Sequence, residues 1–183
     1  MFSPITTLYT YFPLQFFICL TIDLLIVAFG VVFAILMHKN GRFDKAQLIA
    51  CIVLFTWAAF VLFLTVLGRR MNRNSFDNYN LDLFSCYKNI IFDKNENALN
   101  STLENIVLFI PIGVTLPIIL KNKHRFLISI IISFLFSLLI EISQLFLKSG
   151  LFEIDDLFNN TLGALLGIIL VCIWIKISDR KRG

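Results

Sequence analysis

Apolar and polar positions fall in long blocks along this chain. Phe16 to Met37 is a run of 22 residues interrupted only by Asp23, long enough for a bilayer crossing of about 20 residues. Asp23 lies about two turns from one end, where its carboxylate can reach the interface or a neighbouring helix. The loop HKNGRFDK follows, with Asn40-Gly41 as its turn. Ala46 to Leu67 is a second run with no charge at all. Gly68, Arg69 and Arg70 end it, and a hydrophilic, Asn-rich segment of 37 residues extends to Glu104. Within that segment, Asn78 to Phe92 (NYNLDLFSCYKNIIF) is apolar enough to dip into the membrane interface. Asn105 to Leu120 is a run of only 16 residues containing Pro111, Gly113 and Pro117. It predicts a short, kinked third span, because each proline removes a backbone donor. KNKHR turns the chain into a fourth run, Phe126 to Leu147, and a fifth follows at Leu157 to Ile177. The pattern predicts an all-α, polytopic membrane helix bundle of about five transmembrane helices.

The fourth run carries Ser129, Ser133, Ser137, Glu141, Gln144 and Lys148 at spacings of three and four, which places them on one helical stripe. Such a stripe must face protein or water, because lipid offers it no partners. The fourth helix is therefore expected to be central. In the fifth run Asn160, Gly163 and Gly167 share a face that permits close helix approach, and the fifth helix is expected to pack with it against the fourth. Pro111 and Gly113 are expected to serve structure by kinking the third span for packing. No inverted repeat of the kind found in transporters is visible.

A hydrophobic content of 58% and a mean hydropathy of +0.84 exclude a soluble domain of this size. The net charge of +4 bears on topology and not on nucleic acid, since there is no basic stripe with interleaved aromatics. Cys19, Cys51 and Cys172 lie in apolar runs and only Cys86 in a hydrophilic one, so neither a structural disulfide nor a metal site is expected. The first run has no preceding Lys or Arg and no small-residue cleavage pattern, and is expected to remain as an anchor. Lys and Arg number ten in HKNGRFDK, KNKHR and the tail from Lys176, against six in the other connections. The positive-inside rule then puts the amino terminus outside and the carboxyl terminus in the cytoplasm, with Arg69 and Arg70 as a local conflict. The organisation expected is two amino-terminal helices over 1–70, an external loop over 71–104, a three-helix core over 105–177 and a basic cytoplasmic tail over 178–183.

In that topology Asn105, Glu141, Gln144, Asp155, Asp156, Asn160 and Thr161 converge near the external leaflet. Glu141 is six residues from the end of its run, about 9 Å deep. An ionisable group at that depth is a functional hypothesis by default. The residues could form a polar pocket for a lipid-linked sugar, a peptide terminus or a hard cation. They could equally be scaffold, with Asp155, Asp156 and Asn159 capping the fifth helix and Glu141 and Gln144 locking helices by hydrogen bonds.

Three blocks of the sequence, NIVLFIPIG at 105–113, IEISQ at 140–144 and EIDDLFNNTLGALLG at 153–167, resemble in order and content the signature blocks of VanZ-like proteins. The resemblance spans roughly Asn78 to Leu170, leaving the first two runs outside or at its edge. Where the family commonly has Asn-Leu-x-Pro-Phe, this chain has NLDLF at Asn80 to Phe84, and Ser149 and Gly150 stand where an arginine is often found. The resemblance implies a bacterial envelope protein linked to teicoplanin-type glycopeptide susceptibility, and it implies no established reaction.

Three function classes fit these features. One is an envelope protein of the plasma membrane that engages cell-wall precursors, their lipid carrier or a lipoglycopeptide. Another is an intramembrane enzyme with Glu141 as general acid or base and Asp156 orienting a substrate or metal. The third is a small transporter or flippase subunit. No HExxH, GxSxG or His-rich metal set supports the enzyme, and five spans without a repeat argue against an independent transporter. The first class is the expectation, with membrane lipids and a lipid-linked precursor or lipoglycopeptide as partners, no nucleic acid, no metal and no cofactor.

Overall fold

The computed structural model describes residues 4–67, 79–147 and 149–180. Five long apolar helices, each able to cross a membrane, account for most of it. Helix α1 (Pro4–Lys39) starts on a proline, which suits a first helical position because its missing N–H is an orphan there anyway. It ends where Gly41 takes φ +70° and the amides of Arg42 and Phe43 bond back to Met37 O, a left-handed stop that glycine makes without strain. Asp44 then caps α2 (Lys45–Leu62). Its carboxylate accepts from Gln47 N at 2.9 Å while the Gln47 amide oxygen accepts from Asp44 N at 3.1 Å, satisfying two orphan donors reciprocally. A π-helical turn over Phe63–Leu67 prolongs α2.

After the short strand β1 (Tyr79–Asn80) come α3 (Ser85–Phe92) and α4 (Glu96–Leu120). The third span is thus longer than the 16 residues expected, running 25 residues as one helix. Asn95 caps it through bonds to the amides of Asn97 and Ala98, so the helix starts nine residues before the apolar block, on polar side chains that hydrophobicity alone counts as loop. Two side chains bond backbone carbonyls close to Pro111. The Trp57 indole of α2 donates to Leu108 O at 2.8 Å, a carbonyl in the turn before Pro111, and Thr115 Oγ1 donates to Pro111 O at 2.9 Å.

Helix α5 (Arg125–Leu147), strand β2 (Phe152–Glu153) and α6 (Ile154–Arg180) complete the chain. The strands pair in parallel, Tyr79 opposite Phe152 and Asn80 opposite Glu153, a two-residue bridge within an all-α bundle. At the other end of the bundle Lys121 pairs with Asp44 and Gln47 Nε2 donates to Ile119 O at 2.8 Å. The α1–α2 and α4–α5 turns therefore share one end, and β1, β2 and α3 share the opposite end, as five alternating crossings require. Val61, Phe109, Ile112, Leu116, Ile140 and Ala164 meet in the centre. Side chains such as Leu25, Phe29 and Leu170, each more than 60% exposed, form the surface that hydrocarbon would cover.

The glycine face of α6 corrects one expectation. A Cβ on Gly163 would overlap the Ile106 carbonyl, one on Gly167 the Ile110 carbonyl, and one on Gly113 the Ala164 carbonyl. The small residues therefore bring α6 against α4 and not, as expected, against α5. A GxxxG spacing encodes close approach without naming the partner, and α4 supplies the matching Gly113. Helix α6 meets α5 through a different side chain, Asn160.

Candidate functional site

Polar side chains gather at the β1–β2 end in two groups. The first is built around Asp155, in the opening turn of α6 and only 2% exposed. Its Oδ1 accepts from Phe84 N at 2.5 Å, and its Oδ2 from Cys86 N at 2.8 Å and Ser85 Oγ at 3.0 Å. These are donors at the start of α3, where orphan amides and the helix dipole both favour a carboxylate. Asp155 thus caps α3 across some 70 residues of sequence and not, as one expectation had it, its own helix. The approach requires Phe84 at φ 67°, a left-handed conformation costly for a non-glycine residue. The Phe84 ring is held edge-on against Phe158 and Tyr87.

Asn159, one turn along α6 and fully buried, extends the group by accepting from Tyr87 Oη at 2.5 Å. Burial pushes the Cys86 thiol above its ordinary value, and its hydrogen bond to Asp155 pushes it further. Burial likewise raises the Tyr87 phenol. Both stay protonated at neutral pH, so neither a thiolate nor a phenolate nucleophile is on offer.

The second group is the seam of α5. Glu141 is 1% exposed, and its Oε2 accepts from the Glu153 amide of β2 at 2.9 Å. Gln144, 3% exposed, donates to Thr65 O at 3.1 Å. That carbonyl lies in the π-helical turn. Asn160 Nδ2 donates to Ser137 Oγ at 3.0 Å. Among the described residues, the buried Ser149 hydroxyl, in a residue 7% exposed, and the buried Asn105 amide nitrogen have no hydrogen-bond partner.

Of the seven residues singled out from sequence, Glu141, Gln144 and Asn160 share the seam. Asp155 belongs to the neighbouring α3 clamp. Thr161 turns back on its own helix, donating to Leu157 O at 2.8 Å. Glu141 is joined to the acidic turn through the backbone of Glu153, the residue two before Asp155. With Glu141, Gln144, Asp155 and Asn160 all at most 4% exposed, the residues form a closed seam beneath β1, β2 and α3. Thr65, Ser85, Cys86 and Tyr87 were not anticipated as partners. Their one sequence signal was that Ser85 follows directly on the NLDLF element. Among the described residues, no group of three or more His, Cys, Asp or Glu side chains is placed to hold a metal ion.

Five apolar crossings enclosing a carboxylate in a hydrogen-bonded seam define a multi-pass integral membrane protein. A family model for VanZ/LLP1 matches residues 50–175, and the chain belongs to that family. The match covers most of α2 as well as the three spans that carry the quoted blocks, leaving α1 outside. Comparison with curated proteins and with solved structures returned no match.

Proposed function

We propose that this VanZ-family protein sits in the bacterial plasma membrane and engages a cell-wall precursor, its lipid carrier or a teicoplanin-type lipoglycopeptide at the outer leaflet. The amino terminus is outside and the carboxyl terminus in the cytoplasm, an orientation supported by the ten-to-six division of Lys and Arg. The observation that carries the proposal is Glu141, a carboxylate 1% exposed within a membrane span. Burying it costs several kcal/mol unless it is partnered, and one hydrogen bond it accepts comes from the Glu153 amide of β2, part of a small cap. Movement of β1, β2 and α3 would present this carboxylate, with Gln144, to a polar headgroup, sugar or peptide terminus while the spans stay packed.

The test is deletion of the gene in its host, a susceptibility panel of glycopeptides and lipoglycopeptides, and complementation by wild type and Glu141→Gln. The expected result is a deletion phenotype restored by wild type and not by Glu141→Gln at equal expression and melting temperature. Full complementation by Glu141→Gln would reduce the carboxylate to a helix lock.

A further inference from the structure

An apolar cavity of about 240 Å³ opens among α1, α2, α4 and α5, with Ile26, Ala58, Leu62, Ile112, Leu116 and Phe136 in its walls. No polar group lines it. Water is therefore a poor occupant, since a buried water needs two to four polar partners. An apolar cavity of about 150 Å³ stays dry and takes a benzene ring; this one has room for a longer hydrocarbon segment. Ile112 lies eight residues from the end of α4, about 12 Å along the axis, which puts the cavity inside the hydrocarbon layer of about 30 Å. Ile132 at its rim is 38% exposed, whereas Ile112 and Leu116 on its floor are 2% and 5% exposed. The cavity thus runs from a lipid-facing edge to side chains that surrounding lipid would not touch. One wall, Ile26 of α1, lies outside the residues shared with the family.

We infer that this cavity binds one acyl chain of a bilayer phospholipid. The chain enters past Ile132 and lies between α1 and the family core, filling space that would otherwise forfeit dispersion contacts. This site is independent of the seam at Glu141, and either can fail without the other.

The probe is a phosphatidylglycerol with a diazirine on one acyl chain, mixed into vesicles of phosphatidylglycerol and phosphatidylethanolamine containing the full chain. After illumination, adducts are mapped by mass spectrometry. Adducts are expected at Ile112 or Leu116 as well as at exposed Leu24 and Leu170. Ala58→Trp, which fills the cavity, should remove the floor adducts and leave the exposed ones. Ile132→Trp, a change at the accessible rim that spares the core, should do the same if Ala58→Trp does not fold. Adducts confined to exposed residues would overturn the assignment, as would floor adducts that persist in a folded Ala58→Trp or Ile132→Trp protein. Labelling of the floor by diazirine-bearing palmitate but not by the phospholipid would overturn it too.

Discussion

Helix α6 has two seams that hold by opposite means. Against α4 it is dry: Gly113, Gly163 and Gly167 remove side chains so that backbones touch, and dispersion over close surfaces supplies the attraction. Against α3 and α5 it is polar: Asp155, Asn159 and Asn160 reach out to Cys86, Tyr87 and Ser137. The dry seam gains nothing from opening, because neither lipid nor water offers its surfaces anything better. In the reading proposed above the polar seam opens at its α3 end, where the donors and acceptors around Asp155 can be satisfied by water or by a polar ligand at the membrane surface. One helix with a rigid face and a polar face would let the cap move, as proposed, without loss of the bundle.

The largest effect should come from the dry seam. Gly163→Leu forces a side chain into the Ile106 backbone, and backbone cannot yield as a side chain can. The cost should exceed the ~1–3 kcal/mol of ordinary overpacking. Leu166→Phe, at a position 43% exposed, serves as the control. Melting of the two in detergent should show loss of cooperative assembly only for Gly163→Leu; equal melting temperatures would mean that α4 and α6 do not meet at these glycines.

The polar seam should respond locally. Asp155→Ala leaves the amides of Phe84 and Cys86 and the Ser85 hydroxyl without their acceptor, at a cost of about 3 kcal/mol for a buried charged acceptor with several donors. Hydrogen exchange should quicken over 84–92 while α4 and the rest of α6 keep their protection. Loss of protection throughout α6 would show that the two seams are not separable.

Much of this was legible in the sequence, and what was not has physical causes. Run length revealed the five spans because the bilayer sets that length. The stripe on α5 was legible because a period of 3.6 leaves a direct mark, and all its described members, Ser129 to Gln144, are buried. The start of α4 was missed because its first turns are polar and its boundary is set by the Asn95 cap. The partner of the glycine face was missed because spacing records how closely a helix can be approached and not by which neighbour. Asp155 looked like a cap for the helix it begins, and it is a cap for another. The parallel pairing of Tyr79 with Phe152 makes that crossing, and a two-residue strand leaves no periodic trace. Asp23 was expected to reach an interface or a neighbouring helix; its Oδ1 is buried and unbonded among the described residues.

The smallest effect belongs to a polar contact that keeps its water. Asp44 and Lys121 pair at the opposite end of the bundle with both side chains half exposed, so hydration and salt screen them. Hydrogen bonding to Lys121, then to the Gln47 amide, holds the Asp44 carboxyl below its ordinary value. A carboxylate whose value is lowered on folding contributes stability that is complete above the unfolded value of about 3.9 and is lost as pH falls through the lower folded value. Asp44→Asn keeps a good helix cap and removes only the charge. The melting temperature of wild type should therefore exceed that of Asp44→Asn slightly at neutral pH and low salt. The gap should narrow as salt is added, begin to shrink as pH falls below the ordinary carboxylate value, and vanish below the lower folded value. A gap that persisted in strong salt and at low pH would mean that this contact is as shielded as the Asp155 clamp, and exposure would no longer separate the two ends of the bundle.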